Sequence, residues 1–247
     1  MSFRGSNLRR RMDGAPYASS YLPVTPPPID PGLIVDSWGM NESSGTRVGT
    51  NGHDLSEGGG AISSVVGKIG NAAHFDTAGQ YLTYADAGDV FDFGAADPFL
   101  VAFWMKVPSP DAENGIFGKT NWNISALTGW LFHYNSGADT VSFYIGNGVS
   151  PQGDTPAVSF GDLGWHLVMG WYDGAGTGYA SVDNDSGTEV NFAVSGIGSA
   201  AGQPLRTSNA WLGGSPKYDL DAMIVFSDDL DQDARDYLWN DGAGVEL

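Results

Sequence analysis

The stretch FLVAFWMKV, residues 99–107, indicates the fold class because its side chains alternate between two faces. Phe99 and Phe103 fall on one face, and Leu100 and Trp104 fall on the other. A period of two with large apolar side chains is typical of a β-strand that packs against a core. The sequence therefore predicts a strand at this position.

Similar alternation returns at short intervals along the chain. The segments are TVSFYIG (140–146), WHLVMGWY (165–172), GYASVD (178–183), EVNFAV (189–194) and LDAMIVF (220–226). Turns rich in Gly, Asn and Asp separate many of them, and such turns favour hairpins. Many short strands without a long helical period predict an all-β sandwich, in which two antiparallel sheets meet over their apolar faces.

One short helix is predicted near the end of the chain, within DLDQDARDYLWNDG (229–242). Asp231 is a suitable N-cap, Ala234 and Leu238 fall on one side, and Gly242 is suited to end the helix. We expect this helix to pack on the outside of the sandwich.

The charge balance and the lack of cysteine exclude several classes of function. The 247 residues include 11 Lys and Arg against 29 Asp and Glu, a net charge of −18. A field of that sign repels nucleic acid and anionic membranes, and no apolar run is long enough to span a bilayer. Without cysteine the sequence offers no disulfide, no thiolate metal site and no cysteine nucleophile. We therefore expect no nucleic-acid partner and no membrane partner.

Residues 1–32 differ in composition from residues 33–247. They carry four arginines, and their second half is rich in proline, which favours extended conformers that cannot join a sheet ladder. No apolar run follows the arginines, so we do not expect an export signal. We predict an N-terminal arm that anchors a single domain, residues 33–247, to a partner; the alternative is a terminus without a fixed partner. The predicted anchoring side chains are Phe3, Arg4, Arg9, Arg10, Arg11, Tyr17 and Tyr21.

Several motifs follow one another along residues 33–247. They are LIVDSWGMNESSGTRVGTNGHDL (33–55), VVGKIGNAAHFDTAGQYLTYAD (65–86), Phe103-Trp104, Trp165-His166 and LDAMIVFSDDLDQDARDYL (220–238). In this order they resemble the laminin-G-like, concanavalin A-like lectin-glucanase jelly-roll superfamily, particularly its phage and bacterial branch of glycan-binding and adhesion modules. The resemblance implies a jelly-roll sandwich with a lectin-like role.

A candidate glycan site lies in KTNWNISALTGW, residues 119–130, which lacks clean alternation. Sugar sites combine an exposed aromatic ring with polar side chains that bond hydroxyl groups. Trp122 and Trp130 supply rings, and Asn121 and Asn123 supply amides. The alternative is that both tryptophans belong to the core.

Calcium is the metal that suits this chain, because its loops supply Asp and Asn oxygens. Asp54 and Asp221 match positions in a loop and a late strand of the resembled superfamily, and a structural Ca²⁺ between them is one interpretation. The other, which we favour, is that both carboxylates accept hydrogen bonds from turn amides. The run Gly49-Thr50-Asn51-Gly52 and Ala222 depart from the pattern of that superfamily, which counts against an inherited metal site. No other cofactor is expected.

The sequence offers no catalytic constellation. Glycanases that resemble this sandwich carry Glu-x-Asp-x-x-Glu on one strand, and no such run occurs. The four histidines, His53, His74, His133 and His166, lack a Gly-x-Ser-x-Gly companion and are expected in packing or loop roles. We therefore expect that the protein is not an enzyme.

The expected function is that of a noncatalytic virion structural protein. In this hypothesis the N-terminal arm binds capsid or tail proteins, and the lectin-like domain decorates the virion exterior, with adhesion to surface glycans. A glycan-binding adhesin or lectin module is the alternative, and a glycanase is the least favoured. A homo-oligomer is compatible with this hypothesis, although no heptad repeat indicates one.

Overall fold

The computed structural model describes residues 29–108, 114–121, 124–184, 188–209 and 217–245. In that part of the chain the strands form two antiparallel sheets that pack face to face, and one short helix follows the last strand. The predicted all-β jelly-roll sandwich with a short C-terminal helix is confirmed.

The elements follow one another along the chain. The strands are β1 (Ile34–Trp38), β2 (Ser56–Gly58), β3 (Ser63–Val66), β4 (Asn71–Phe75), β5 (Tyr81–Tyr84), β6 (Phe99–Lys106), β7 (Asn114–Thr120), β8 (Thr128–Asn135), β9 (Thr140–Asn147), β10 (Pro151–Asp154), β11 (His166–Tyr172), β12 (Thr177–Val182), β13 (Val190–Ala193), β14 (Leu205–Asn209) and β15 (Tyr218–Phe226). The helix α1 spans Gln232–Trp239. Short 3-10 turns occupy Pro31–Leu33, Ile124–Ala126 and Asn240–Gly242.

The two sheets differ in strand order. In the described residues, the eight-stranded sheet has the order β13-β12-β11-β6-β15-β4-β3, and β1 pairs with the later half of β15. The seven-stranded sheet has the order β10-β9-β8-β7-β14-β5-β2. Strands that are distant in sequence are therefore neighbours in space, because β6 lies between β11 and β15, and β14 lies between β7 and β5.

Strand β6 shows what the alternation produces. Phe99 and Phe103 point into the core between the sheets, where their rings contact Trp130 and Phe132. Trp104 points to the other face of the strand, and that face is buried as well. Full burial of a large apolar side chain stabilises the fold by about 1.5–3 kcal/mol, so a strand buried on both faces contributes strongly to the fold.

Helix α1 begins and ends as its capping residues require. The Asp231 carboxylate accepts a hydrogen bond from the Ala234 amide at 2.9 Å, which confirms the predicted N-cap. The predicted end at Gly242 is wrong, because Asn240 already adopts the left-handed conformation (φ 46°) that ends the helix. Ala234 and Leu238 are buried. No helix in the described residues is long and apolar enough to cross a membrane.

The segment Gly67-Lys68-Ile69-Gly70 folds tightly over the last strand. The Asp221 carboxylate accepts a hydrogen bond from the Ile69 amide at 2.7 Å. A Cβ atom added at Gly67 would lie 2.4 Å from Asp221 Oδ2, so this position requires glycine. Gly70 has a φ of +72°, which glycine adopts without strain.

A buried ion pair joins β7 to the loop after β5. Lys119 Nζ lies 2.7 Å from Asp86 Oδ2, and both side chains are fully buried. The same nitrogen lies 3.1 Å from Asp89 Oδ1 and donates to the Gln203 carbonyl. A buried charge needs partners of this kind, because its desolvation cost is otherwise not recovered.

Candidate functional site

The outer face of the eight-stranded sheet is largely covered. Its apolar side chains pack beneath α1 in one buried cluster. The cluster comprises Ile29, Leu100, Ala102, Trp104, Leu167, Met169, Trp171, Ile224, Phe226, Leu230, Ala234 and Leu238. A cavity of about 30 Å³ remains beside α1, which is room for a water molecule but not for a sugar ring. This part of the sheet is therefore not available to a glycan.

The outer face of the seven-stranded sheet, called the open face below, has no α-helix packed on it in the described part of the chain, although Leu127 packs on Leu131 there. Its position follows from alternation, because Trp130 and Phe132 of β8 and Phe143 of β9 point into the core. The residues between them point outward, and strand register aligns them in a row across the sheet. The open face carries Tyr81, Thr83, Gly118, Leu131, His133, Tyr144 and Arg206.

Two partly exposed tyrosines on the open face each lie against a glycine of the neighbouring strand. A Cβ atom added at Gly58 would lie 2.2 Å from the Tyr81 ring, and one added at Gly153 would lie 2.4 Å from the Tyr144 ring. Because neither glycine has a side chain, both tyrosine rings lie close to the backbone of the neighbouring strand. Sugar rings stack on aromatic surfaces of this kind.

Arg206 stands in the middle of the open face. Its guanidinium carbon lies 3.6 Å from the centre of the Tyr81 ring, and its Nε donates to the Ser208 carbonyl at 3.1 Å. Partial burial lowers the pKa of the Arg206 guanidinium, and the nearby phenols of Tyr81 and Tyr218 oppose that shift. The guanidinium is therefore fixed by an aromatic ring and a carbonyl, without a carboxylate partner among the described residues.

Trp130 does not belong to a sugar site. Its side chain is fully buried between the sheets, and its Nε1 donates to the Phe91 carbonyl at 3.1 Å. A ring without exposed surface cannot stack on a pyranose, so the structure favours the alternative in which Trp130 packs in the core. This corrects the prediction of Trp130 as a glycan contact.

Asn121 has a different role from the one predicted. Its Nδ2 donates to the Ala126 carbonyl at 2.9 Å, and its Oδ1 accepts from the Thr128 amide at 3.3 Å. These bonds close the loop that enters β8, and they leave fewer of the amide's atoms to bond a sugar. Trp122 and Asn123 lie outside the described residues, so their predicted contact with glycan stays a prediction.

The two aspartates considered for calcium each bond a loop amide. Asp54 Oδ1 accepts from the Gly49 amide at 3.0 Å, and Asp221 accepts from the Ile69 amide. In the part of the chain that the structure describes, no three His, Asp, Glu or Cys side chains form a group that could hold a metal ion. The geometry therefore favours turn bonding over a shared Ca²⁺ for Asp54 and Asp221.

Three of the four histidines bond aspartates. Nδ1 of His53 lies 2.7 Å from Asp36, and Nδ1 of His74 lies 2.5 Å from Asp219. Ser63 of β3 lies opposite His74 of β4, but no hydrogen bond joins the two side chains. A serine nucleophile is activated by such a bond to a base, so Ser63 and His74 do not form that arrangement.

His166 connects three segments. Its Nδ1 lies 2.7 Å from Asp183, and its Nε2 lies 3.0 Å from Asp162. The hydrogen bond to Asp183 raises the pKa of His166, and the bond to Asp162 adds to this, whereas burial opposes it. His166 thereby links the start of β11 to the end of β12 and to the loop at Asp162, and the charge of its imidazole depends on pH.

The chain enters the sandwich on the covered side. Ile29 is buried in the cluster beneath α1, although the composition of residues 1–32 predicts that residues 29–32 belong to the arm. Beside it lies an acidic pocket of about 520 Å³. Its residues are Asp30, Leu33, Asp228, Asp229, Leu230, Asp231 and Ala234. Burial raises the pKa of the Asp229 carboxyl, and neighbouring Asp228 adds to the shift.

The predicted anchoring side chains lie outside the described residues. They are Phe3, Arg4, Arg9, Arg10, Arg11, Tyr17 and Tyr21. The division of the chain at residue 32 and the anchoring role both stay predictions.

Arg206 and Tyr144 are candidate site residues that the sequence did not predict. Tyr144 lies in TVSFYIG between two core residues, so alternation alone would have placed it outward. Arg206 follows the core residue Leu205 in the same way. Their proximity to one face was not predictable, because it depends on the order of β9, β8, β7 and β14 in the sheet.

Comparisons with known proteins support the fold. No protein-family profile matches the sequence, and no curated protein matches it. Solved structures do match: the binding domain of Paraclostridial Mosquitocidal Protein 1 has a TM-score of 0.64 at 13% identity over 85% of this chain and 52% of that domain.

Two botulinum neurotoxin structures match similarly. The binding domain of type DC, solved in complex with rat synaptotagmin II, has a TM-score of 0.61 at 14% identity over 85% of this chain and 52% of that chain. A structure of type C, whose cell entry depends upon interaction with two ganglioside molecules, has the same TM-score and identity over 85% and 51%. The chain thus spans about half the length of these structures, and the likeness shows a β-sandwich fold.

Proposed function

We propose that the chain is a noncatalytic, lectin-like module that binds glycans on the open face. The observation that carries this proposal is the contrast between the two outer faces. One is covered by α1, whereas the other carries no α-helix in the described residues and presents Tyr144 together with Tyr81 and the Arg206 guanidinium that lies against it. The motif order that resembles the laminin-G-like superfamily, in its phage and bacterial branch, agrees with this assignment.

The neighbouring structures support a binding role rather than a catalytic one. They are binding domains of toxins, and the named ligands of two of them are gangliosides and synaptotagmin. Because this chain corresponds to about half of each, their ligands are not carried over to it. What we carry over is the class of role, recognition of a molecule at a cell surface.

A glycan array with two matched tyrosine variants tests the proposal. Tyr144→Ala removes a ring from the open face, and we expect it to weaken glycan binding at least tenfold, or about 1.4 kcal/mol. Tyr179→Ala is the control, because Tyr179 is also partly exposed but stacks on Trp171 at the opposite outer face. Equal losses in both variants, or no glycan bound by the unaltered chain, would contradict the proposal.

The proposal that the chain is noncatalytic is tested by a separate assay. We expect no release of reducing sugar when the full chain is incubated with a panel of polysaccharides at several pH values. Sustained turnover by purified protein, abolished by a single carboxylate substitution, would overturn this part and reinstate a glycanase.

A second role, as a virion structural protein, is favoured by where the chain enters the sandwich. Ile29, the first described residue, is buried beside α1, on the side of the sandwich opposite the open face. An arm on one side and a binding face on the other suit a module that is anchored to a capsid or tail and displayed on the virion exterior. Deletion of residues 1–28 is expected to leave a folded body that no longer joins particles, and normal incorporation would refute this role.

A further inference from the structure

The strongest unexplained feature outside the core is Arg206. The seven basic residues after position 32 are Arg47, Lys68, Lys106, Lys119, Arg206, Lys217 and Arg235, in a stretch that also carries 27 acidic residues. Arg47 and Lys119 form ion pairs with carboxylates, as expected where acids are in such excess. Arg206 forms no ion pair with a described residue, although it is half-buried.

The orientation of Arg206 is fixed by its neighbours. Tyr81 lies against the guanidinium plane, and the Ser208 carbonyl accepts from Nε. Ser208 itself has a φ of +52°, a left-handed conformation that is unfavourable for serine, and its side chain is buried. Strained backbone of this kind persists where surrounding structure holds it, and it recurs at binding sites.

The two terminal nitrogens of Arg206 are left for a ligand. Neither donates to any residue that the structure describes, and neither is among the buried atoms that lack a partner. On the neighbouring strand Gly118 lies opposite Arg206, so no side chain stands between Arg206 and Leu131. Arg206 therefore presents its positive guanidinium beside Gly118, a position on the neighbouring strand that carries no side chain.

We propose that Arg206 is the receptor for an oxyanion carried by a sugar, so that the open face selects acidic glycans over neutral ones. This inference rests on the proposed glycan-binding function. The planar fork of a guanidinium pairs in two-point fashion with carboxylate or sulfate, and here it is already ordered before the ligand arrives. The Tyr81 ring is already in contact with the guanidinium, and the Thr83 hydroxyl already donates to the Leu205 carbonyl, so Tyr144 is the tyrosine left to stack on the sugar ring.

The net negative charge of the chain does not prevent Arg206 from binding an acidic glycan. A chain of net charge −18 repels an acidic glycan at long range. At physiological ionic strength this repulsion is screened beyond about 8 Å. A contact at Arg206 is shorter than that distance, so the local attraction decides binding once the glycan is at the face.

The test measures binding of three oligosaccharides of equal length to the full chain by calorimetry. One ends in glucuronic acid, one carries a sulfate ester, and one is neutral. We expect at least one acidic probe to bind tenfold or more tightly than the neutral one. We expect Arg206→Gln to remove that preference, and Arg206→Lys to retain part of it because charge without the fork remains.

Lys68→Gln is the matched control, since it also removes one positive charge but lies over Trp104 on the covered side. Thermal unfolding of each variant verifies that half-buried Arg206 has been replaced without loss of the fold. If neutral and acidic probes bind equally and Arg206→Gln binds as the unaltered chain does, this inference is wrong while glycan binding stands. If none of the three probes binds, and an array finds no other glycan, the proposed function itself fails.

Discussion

Replacement of Trp130 distinguishes a core residue from a sugar contact. The side chain is fully buried, packs against Phe117 and Phe99, and donates to the Phe91 carbonyl at 3.1 Å. Trp130→Ala removes the whole ring system, which typically costs about 3–5 kcal/mol because a cavity remains. The Phe91 carbonyl also loses its donor, which moves the expected cost toward the upper end of that range.

Trp130→Phe separates the cost of the cavity from the cost of the lost hydrogen bond to the Phe91 carbonyl. It keeps an aromatic ring in the core but removes the indole N–H and part of the volume, so we expect a loss of about 1–3 kcal/mol. The assay is urea unfolding followed by fluorescence and circular dichroism, with the slope of the transition used to verify two-state behaviour. For a domain of this size, 3–5 kcal/mol corresponds to a fall in melting temperature of about 6–20 °C.

If Trp130→Ala unfolds at the same urea concentration as the unaltered chain and loses glycan binding, the ring is a ligand contact and its placement in the core is wrong. We expect the reverse, a large loss of stability, with Trp130→Phe retaining binding wherever the protein is folded.

Three further predictions concern the stability of variants at Lys119, His166 and Gly67. Lys119→Met should cost about 3–5 kcal/mol, and combining it with Asp86→Asn should cost less than the sum of the single changes in urea unfolding, whereas simple additivity would refute their coupling. The pKa of His166 is raised by its aspartate partners, so its contribution is fully present below about pH 6.5 and is lost as pH rises through the higher folded value. His166→Gln should therefore destabilise the protein more at pH 5.5 than at pH 9, and equal losses would contradict this. Gly67→Ala should cost about 1–3 kcal/mol through overlap with a carboxylate, whereas Gly88→Ala, whose added Cβ has its nearest neighbour at 3.6 Å, should change the melting temperature little.

The fold was predictable because alternation is a local signal. The pattern in residues 99–107 places Phe99 and Phe103 in the core, as the structure confirms. The same signal was available for Trp130, since residues 128–135 continue the alternation through Phe132 and Tyr134. The prediction of Trp130 as a sugar contact was wrong because residues 119–130 alone do not show this alternation, most of which lies after residue 130.

The candidate site was less predictable because it depends on strand order. Arg206 lies beside Tyr81 only because β14 pairs with β5, and the two residues are 125 positions apart in the chain. Lys119 likewise finds Asp86 through packing between distant segments. Local patterns indicate which way a strand residue points, but they do not indicate which distant strand becomes its neighbour.

Hydrogen–deuterium exchange of the full chain, with and without the glycan that binds it best on the array, tests most directly which face of the sandwich recognises ligand. We expect slower exchange in β5, β8, β9 and β14 on ligand addition, with α1 and β11 unchanged. Protection confined to α1, β11 and their connecting loops would place recognition on the opposite side and contradict the account.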